Sequence, residues 1–303
     1  MSAYLGPLGA FIASVTWAFA STRYAEVART AGAVRVGLLR AASASVLWLV
    51  ALGLGEGLSA LGQIDAQHAL CLAGSIVCSY ALGDRIFFAA AVRIGVSSAL
   101  AIATIYPIWA ALYGTLLRGE PLGPLRALGI ACCLLGVSAV LQLSRAATER
   151  TERATTQKGP LWGAALALLT SLFWAGNAVF LKLGAEGLSL AQANSLRFPC
   201  GVLLLLLQLP LARGARAPSP PSPSFAALAQ RLALPLLADT GLGSICFVYG
   251  IAHTDLALGA TLSSLSPLVA LPIAVVLGTE RVSAGKVVAV CVTLLGVVLL
   301  VTH

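Results

Sequence analysis

The chain has 303 residues, of which 59% are hydrophobic and only 10% are charged. A soluble domain carries roughly 25% charged residues, so this composition excludes a soluble globular protein. The formal net charge of +8 does not indicate nucleic-acid binding, because many of the basic residues lie in short loops beside apolar runs, where they act as topology signals. The composition therefore predicts an integral membrane protein.

Ten apolar runs, taken in chain order, predict ten transmembrane helices. Most approach the ~20 residues that a helix needs to cross the hydrocarbon core, and within lipid only a helix satisfies its own backbone N–H and C=O groups. The first run is not preceded by the basic residues of a signal peptide, so we interpret it as a helix of the mature chain. The predicted spans are residues 6–22, 36–54, 68–91, 97–117, 123–143, 160–181, 190–211, 230–252, 257–277 and 283–302.

Two polar segments are longer than a turn between helices requires. Residues 144–159 carry mixed charges without apolar periodicity, and residues 212–224 are rich in proline, serine and arginine, which is typical of a flexible extramembrane loop. The first segment divides the chain near its middle. We therefore predict a first repeat at 1–143, a charged linker at 144–159 and a second repeat at 160–303.

The two halves carry the same distinctive residues in the same order. The matches have an offset of 157 residues in the first two helices of each half and of 160 residues thereafter. Because each half holds an odd number of helices, five, the second copy enters the membrane from the opposite side. The duplication thus predicts an all-α protein of two inverted five-helix repeats around a central cavity. The matched features are Ser14 and Ser171, Trp17 and Trp174, Arg40 and Arg197, Pro107 and Pro267, Glu120 and Glu280, and "LLGV" at 134–137 and 294–297.

The loop lysines and arginines are distributed unequally between the two membrane sides. By the positive-inside rule, the richer side is predicted to be cytoplasmic, which leaves both termini outside. The richer side takes Arg23, Arg29, Arg35, Arg93, Arg145, Arg150, Arg153, Lys158, Arg213, Arg216, Arg231, Arg281 and Lys286, and the poorer side takes Arg118, Arg126 and Lys182.

The duplicated motifs resemble those of a known family. Each half has a tryptophan in its first helix, "LR" in its second, a proline in its fourth, "GE" or "TE" after it and "LLGV" in its fifth, and "ALGDRIFFAAAVRIG" (81–95) is similar to the third helix of bacterial members. In order and spacing these motifs resemble the EamA module of the drug/metabolite transporter superfamily, twice over.

The resemblance implies a ten-helix carrier of the bacterial inner membrane. It would work by alternating access and would usually export amino acids or other small metabolites. Several members have cytoplasmic termini, the opposite of what the charge distribution predicts. The expected partners are a small-molecule substrate, membrane lipid and protons as a candidate coupling ion, with the chain a monomer or homodimer.

No motif of an enzyme or of a cofactor site occurs in the chain. G-x-S-x-G, the P-loop, H-E-x-x-H and the glycine-rich dinucleotide turn are all missing. The three histidines are scattered, and the seven cysteines lie in apolar stretches without ligand spacing, as packing residues do. We therefore expect no catalytic residue, no metal and no cofactor.

Polar residues within the predicted third and eighth spans are candidates for a cavity wall. Tyr80 and Asp84 lie four residues apart, hence on one helix face, and their counterparts at offset 160 are Thr240 and Ser244. Polar groups are expensive in hydrocarbon and usually face the bundle interior. The alternative role is interhelical hydrogen bonding.

Two carboxylates are candidates for proton coupling. Asp84 lies inside a span, where a carboxyl group is expensive to ionise, and Asp239 adjoins Thr240. The alternative for Asp84 is a structural ion pair with Arg85, Arg93 or a neighbouring helix.

Aromatic and amide side chains complete the predicted cavity. Trp17 and Trp174 lie deep in the first helix of each half, and Asn177 follows Trp174 by one turn, where it could bind a ligand or bridge two helices. The family resemblance implies that Tyr106 is a gate. Its counterpart Ser266 is small, so the halves differ at this position.

The repeated charged and proline residues have further predicted roles. Arg40 and Arg197 are interpreted as anchors that bond loop carbonyls or headgroups, with a substrate-carboxylate clamp as the alternative. Glu120 and Glu280 are predicted to cap or charge the starts of the fifth and tenth helices.

Pro107 and Pro267 are predicted to bend their spanning helices and to free a backbone carbonyl. Breaks at matching places in two halves indicate a binding site between the repeats.

Three functions remain open from these residues. The favoured one is a secondary active carrier for a small metabolite. A passive facilitator or channel would need a continuous polar stripe, and a membrane scaffold would not need paired prolines and polar sites in both halves.

Overall fold

The computed structural model describes residues 4–94, 96–149, 160–213, 223–276 and 283–302. Within these ranges all regular structure is helical. One 3₁₀-helix (Leu58–Gln63) and two π-helical segments (Val77–Gly83 and Leu237–Gly243) accompany the α-helices. The α-helices are α1 (Leu5–Ala31), α2 (Ala33–Gly55), α3 (Ala66–Ile76), α4 (Asp84–Ile94), α5 (Val96–Ala103), α6 (Tyr106–Arg118), α7 (Pro124–Glu149), α8 (Pro160–Ala185), α9 (Leu190–Arg213), α10 (Phe225–Leu236), α11 (Ser244–Ala252), α12 (Leu256–Ser263), α13 (Ser266–Val276) and α14 (Ala284–Thr302).

Seven helical stretches in the described ranges are long and apolar enough to cross a membrane, so the chain is a multi-pass membrane protein. They are Val34–Gly55, Ala66–Phe87, Pro124–Leu143, Leu161–Ala185, Leu190–Gln208, Phe225–Ala252 and Ala284–Thr302.

Helices α1 and α7 extend furthest beyond their predicted ends. Helix α1 continues to Ala31, and α7 continues to Glu149, into the predicted linker. The rest of that linker lies outside the described residues, as do residues 214–222 of the predicted loop.

The predicted fourth and ninth spans are each broken rather than bent. A turn at Thr104 and Ile105 separates α5 from α6, and a turn at Ser264 and Leu265 separates α12 from α13. The prediction of a proline bend within a continuous helix is therefore wrong. Pro107 is the second residue of α6, where a helix leaves its first amides unbonded, so the missing N–H of proline costs nothing.

Two π-helical segments widen the third and eighth spans at equivalent positions. Val77–Gly83 and Leu237–Gly243 have the same length and differ by 160 residues at both ends. Each ends on a glycine against which another helix packs. A Cβ atom at Gly83 would lie 2.9 Å from Cδ1 of Trp174, and one at Gly243 would lie 2.6 Å from Oγ1 of Thr16. The wide turns thus receive helices α8 and α1, respectively.

Helices of one half pack mainly on helices of the other. Helix α1 packs on α11, α8 on α3 and α4, α2 on α9, and α7 on α14. At the centre of the α2–α9 contact, Phe198 packs against Ala44 and Trp48. The hydroxyl of Ser195 donates to the carbonyl of Trp48 at 2.8 Å. Packing between the two halves therefore brings residues that are far apart in the sequence together in the interior.

The glycine of each "LLGV" motif packs against the opposite helix in the α7–α14 contact. A Cβ atom at Gly296 would lie 2.6 Å from the carbonyl oxygen of Gly129, and one at Gly136 would lie 2.6 Å from that of Ala289. The two contacts are equivalent, because 129 and 136 become 289 and 296 at the repeat offset. The motif is therefore a close-packing device of small residues, as is common between membrane helices.

Candidate functional site

Arg40 lies in the interior, in an ion pair with Asp239. Its Nη2 and Nε donate to Oδ2 of Asp239 at 2.8 and 3.1 Å, and both side chains are largely buried. The guanidinium carbon lies 4.7 Å from the ring centroids of Trp17 and Tyr24 and 5.1 Å from that of Tyr80. The prediction that Arg40 anchors to loop carbonyls or headgroups is therefore wrong, because a carboxylate and three aromatic faces already hold the guanidinium.

Arg197 also lies in the interior, but its partners are neutral. Its Nε donates to Oγ of Ser75 at 2.9 Å, its Nη2 to Oδ1 of Asn177 at 3.3 Å and its Nη1 to Oδ1 of Asn194 at 3.5 Å. The residue is only 4% exposed. Among the described residues no carboxylate forms an ion pair with it. The prediction of a headgroup anchor is wrong here too, since the guanidinium bonds polar side chains of three helical spans.

Asp84 lies near Arg40, beside a group of aromatic side chains. Its carboxylate lies within interaction range of the Trp174 side chain and of Arg40. The Trp174 ring is 5.5 Å from Phe87 and meets Tyr106 edge-on at 6.3 Å, centroid to centroid.

The suggested pairing of Asp84 with Arg85 or Arg93 is not seen. Arg85 is exposed, and Arg93 donates to the carbonyl of Ala89 on its own helix. The basic group near Asp84 is Arg40, which comes from another helix.

The side chains of Thr240 and Ser244 form hydrogen bonds within the protein. Thr240 is 4% exposed, and its hydroxyl donates to the carbonyl of Leu236 one turn earlier. Ser244 accepts a hydrogen bond from the indole of Trp48 at 2.9 Å. The repeat-related positions therefore differ, since Tyr80 and Asp84 face charged partners while Ser244 bridges two helices.

The remaining predicted cavity and gating residues differ in exposure. Trp17 is 38% exposed beside Arg40. Ser266 is half-buried at the first residue of α13, and Pro107 and Pro267 are buried just after the helix breaks.

Several interior polar residues had no repeat partner or motif to mark them. They are Tyr24, Trp48, Ser75 and Asn194, together with Trp109, whose indole donates to Ser171 at 2.8 Å. A tryptophan or asparagine inside an apolar run was the available signal, because each carries a donor that needs a partner in lipid.

Glu120 caps a helix, although not the predicted one. Its Oε2 accepts the backbone N–H of Leu256 at 2.7 Å, at the start of α12, and its Oε1 lies 3.1 Å from Nζ of Lys182. The predicted cap on the fifth span is therefore wrong. Asp255, at the N-cap position of α12, pairs instead with Arg126 at 2.6 Å, which leaves the helix start to Glu120. Glu280 lies outside the described residues.

The three basic residues predicted to share the poorer membrane side lie close together at one end of the bundle. Lys182 pairs with Glu120 and also donates to the carbonyl of Thr254. Arg126 pairs with Asp255, and Arg118 lies 3.4 Å from Glu186. This charged cluster ties α8, α12 and the loop before α7 together.

Replacing Glu120 separates its two roles. We expect Glu120→Ala to lower stability by about 1 kcal/mol more than Glu120→Gln, because glutamine keeps an acceptor oxygen for the Leu256 N–H while alanine removes the cap. Thermal unfolding of the detergent-solubilised proteins measures the difference. Equal losses for the two variants would show that only the charge facing Lys182 matters.

Comparison with known proteins covers almost the whole chain. The EamA-like transporter family matches residues 4–142 and 161–302. Twenty-three chains of solved structures match as well. One crystal structure has a TM-score of 0.72 over 97% of this chain and 96% of the other, at 20% sequence identity, a likeness that concerns the fold alone. No curated protein matches the chain.

Proposed function

The chain belongs to the EamA-like transporter family, and on this basis we propose that it is a secondary active transporter of a small metabolite. The proposed mechanism is alternating access at the cell membrane. The proposed direction is export of an amino acid or related solute, which is usual among the carriers that the chain resembles. The family consists of transporters, which fits the expectation that the chain is not an enzyme.

The observation that carries this proposal is the recurrence of irregular elements at one offset. The two π-helical segments differ by 160 residues at both ends, and the breaks after Ala103 and Ser263 do the same. The seven long apolar stretches, the shorter apolar helix α1 and the two broken spans, α5 with α6 and α12 with α13, bring the proposed number of spans to ten. In an inverted pair of five-helix repeats, the two halves can exchange conformations, and discontinuous helices at the repeat interface are where such carriers bind solutes.

The proposed cavity wall consists of Asp84, Tyr106, Trp174 and Asn177. All four are half-buried, so each combines a fixed position with an accessible surface. Trp174 and Asn177 lie one turn apart on α8, and Tyr106 stands at the break between α5 and α6. A change in the angle of that break would move Tyr106 against Trp174, which is the motion expected of a gate.

Counterflow in proteoliposomes tests the proposed function. Vesicles loaded with unlabelled solute should accumulate the labelled solute transiently and saturably if the protein is a carrier. A channel would give neither saturation nor counterflow. Vesicles without protein provide the control, and the absence of counterflow across amino acids, organic acids, amines and sugars would contradict the proposal.

We propose a membrane orientation from the distribution of the loop lysines and arginines. We place both termini outside the cytoplasm and the charged cluster around Glu120 with them. Labelling of a single added cysteine at either terminus by a membrane-impermeant maleimide in whole cells tests this placement, and labelling only after permeabilisation would reverse it.

Asp84 is the proposed site of proton coupling. Asp239 is less suited to this role because its carboxylate already pairs with Arg40. We expect Asp84→Asn to abolish accumulation driven by an imposed pH gradient while leaving counterflow at equal pH. Asp65→Asn is the matched control, because Asp65 lies outside the spans at the N-cap of α3 and asparagine caps equally well. Unchanged dependence on the pH gradient would remove Asp84 from the mechanism.

A further inference from the structure

We propose that Arg197 is the anion receptor of the substrate site and that the transported solute carries a carboxylate. This inference rests on the proposed transport function and adds to it the chemical class of the solute. It follows from the different environments of two arginines at equivalent positions in the two halves.

Arg40 and Arg197 are the eighth residues of α2 and α9, so each lies about 10 Å along its helix from the first residue. Arg40 has its own carboxylate, Asp239, on the π-helical segment of the eighth span. At the repeat offset the counterpart of Asp239 is Ser79, on the π-helical segment of the third span. The second arginine bonds the hydroxyl of Ser75, one turn before Ser79, whereas the first arginine bonds a carboxylate.

The partners of Arg197 hold the guanidinium without neutralising it. Ser75, Asn177 and Asn194 each supply one oxygen atom, and the contact with Asn194 is long, at 3.5 Å. A buried cation without an anion is strongly disfavoured in a membrane interior. A bound carboxylate would supply the missing charge and would accept two parallel N–H bonds from the guanidinium.

Asn194 provides a second, independent indication of a ligand. Its residue is 0% exposed, yet its amide nitrogen Nδ2 has no hydrogen-bond partner among the described residues. An unpaired buried donor costs free energy. This donor belongs to the same amide that contacts Arg197, so one carboxylate can satisfy both groups.

The partner of Arg197 that has accessible surface lies on α8. Asn177 is half-buried and bonds Arg197 directly, and Trp174, one turn away, forms the wall shared with Tyr106 and Asp84. A solute held by Arg197 through its carboxylate would place the rest of its body against this wall. Arg40, by contrast, is closed to such a ligand by Asp239.

A carboxylate panel in proteoliposomes tests the chemical class. The labelled solutes are L-amino acids, their 2-hydroxy-acid analogues, which keep the carboxylate and lack the amine, and their amides, which lack the carboxylate. We expect counterflow with acids and none with amides, and the hydroxy acids decide whether an amine is also required. Counterflow of amides or sugars at comparable rates would overturn the inference and leave the transport function standing. No counterflow with any solute would overturn both.

Two substitutions test the residue. Arg197→Gln should lower carboxylate counterflow at least about tenfold, as expected for loss of a charged hydrogen bond. Ser79→Asp keeps Arg197 and places a carboxylate at the position that corresponds to Asp239 at the repeat offset. It should reduce carboxylate counterflow to a similar extent while leaving the melting temperature unchanged or raised.

Matched controls separate binding from folding. Ser79→Asn adds the same bulk without charge, and Arg93→Gln removes a positive charge from a side chain that donates to its own helix. Both should transport as the parent protein does. Parent-like carboxylate counterflow in Ser79→Asp, or in a folded Arg197→Gln, would overturn the inference.

Discussion

Replacing Gly296 by leucine is expected to prevent the two halves from packing and to leave little monodisperse protein after solubilisation. A Cβ atom at this position would already lie 2.6 Å from the carbonyl oxygen of Gly129 and 2.7 Å from both the backbone nitrogen and Sγ of Cys133. Two of these neighbours are backbone atoms of α7 and cannot rotate away. The helices must separate to admit a side chain.

The expected loss for Gly296→Leu lies at or above the upper end of ordinary overpacking, which costs about 1–3 kcal/mol. Gly136→Leu should have a similar effect, because its Cβ atom would meet the carbonyl oxygen of Ala289 at 2.6 Å. Size-exclusion chromatography of a fluorescent fusion and thermal unfolding in detergent measure both variants.

Gly55→Leu is the matched control for these substitutions. Gly55 ends helix α2, and a Cβ atom there would meet nothing within 4 Å. We expect parent-like yield and melting temperature for this variant. A Gly296→Leu protein as stable as Gly55→Leu would show that α7 and α14 are not packed as described.

Replacing Asp239 by asparagine is expected to lower the free energy of unfolding by about 3–5 kcal/mol, the usual cost of removing one partner from a buried ion pair. Asparagine keeps the size of the side chain but leaves Arg40 without its anion. The three aromatic rings around the guanidinium offset only part of this loss. Unfolding of the solubilised protein by heat or denaturant measures the difference.

The double variant Arg40→Leu with Asp239→Leu distinguishes an unpaired charge from lost packing. Replacing both partners of a buried pair by apolar side chains is often nearly neutral, so most of the stability should return. Glu186→Gln is the control for an exposed pair: its partner Arg118 lies 3.4 Å away at the surface, where such pairs contribute at most about 1 kcal/mol. Equal effects of Asp239→Asn and Glu186→Gln would contradict a buried pair at Arg40.

The broken helices and the misassigned cap show that a local sequence pattern predicts an irregularity or a cap but not its exact structural form. The prolines at 107 and 267 correctly marked an irregularity, but a proline is compatible with both a bend within a helix and the first turn of a new one. Glu120 was predicted to cap the fifth span and caps the start of α12 instead. Glu120 caps α12 and not the nearer α7 because of the path of its loop across the bundle. Asp255 would otherwise cap α12, but it pairs with Arg126.

The sequence by itself determined the membrane class, the family and the paired features of the two halves, because apolar content and spacing are properties of the chain read along its length. The tertiary structure alone decided that Arg40 pairs with Asp239, 199 residues away, while the hydrogen-bond partners of Arg197 among the described residues are the neutral side chains of Ser75, Asn177 and Asn194. Equal residues at equal offsets predict equal roles. Asp239, Ser75 and Asn177 come from other helices than the arginines they bond, so the packing of the bundle sets the charge around each arginine.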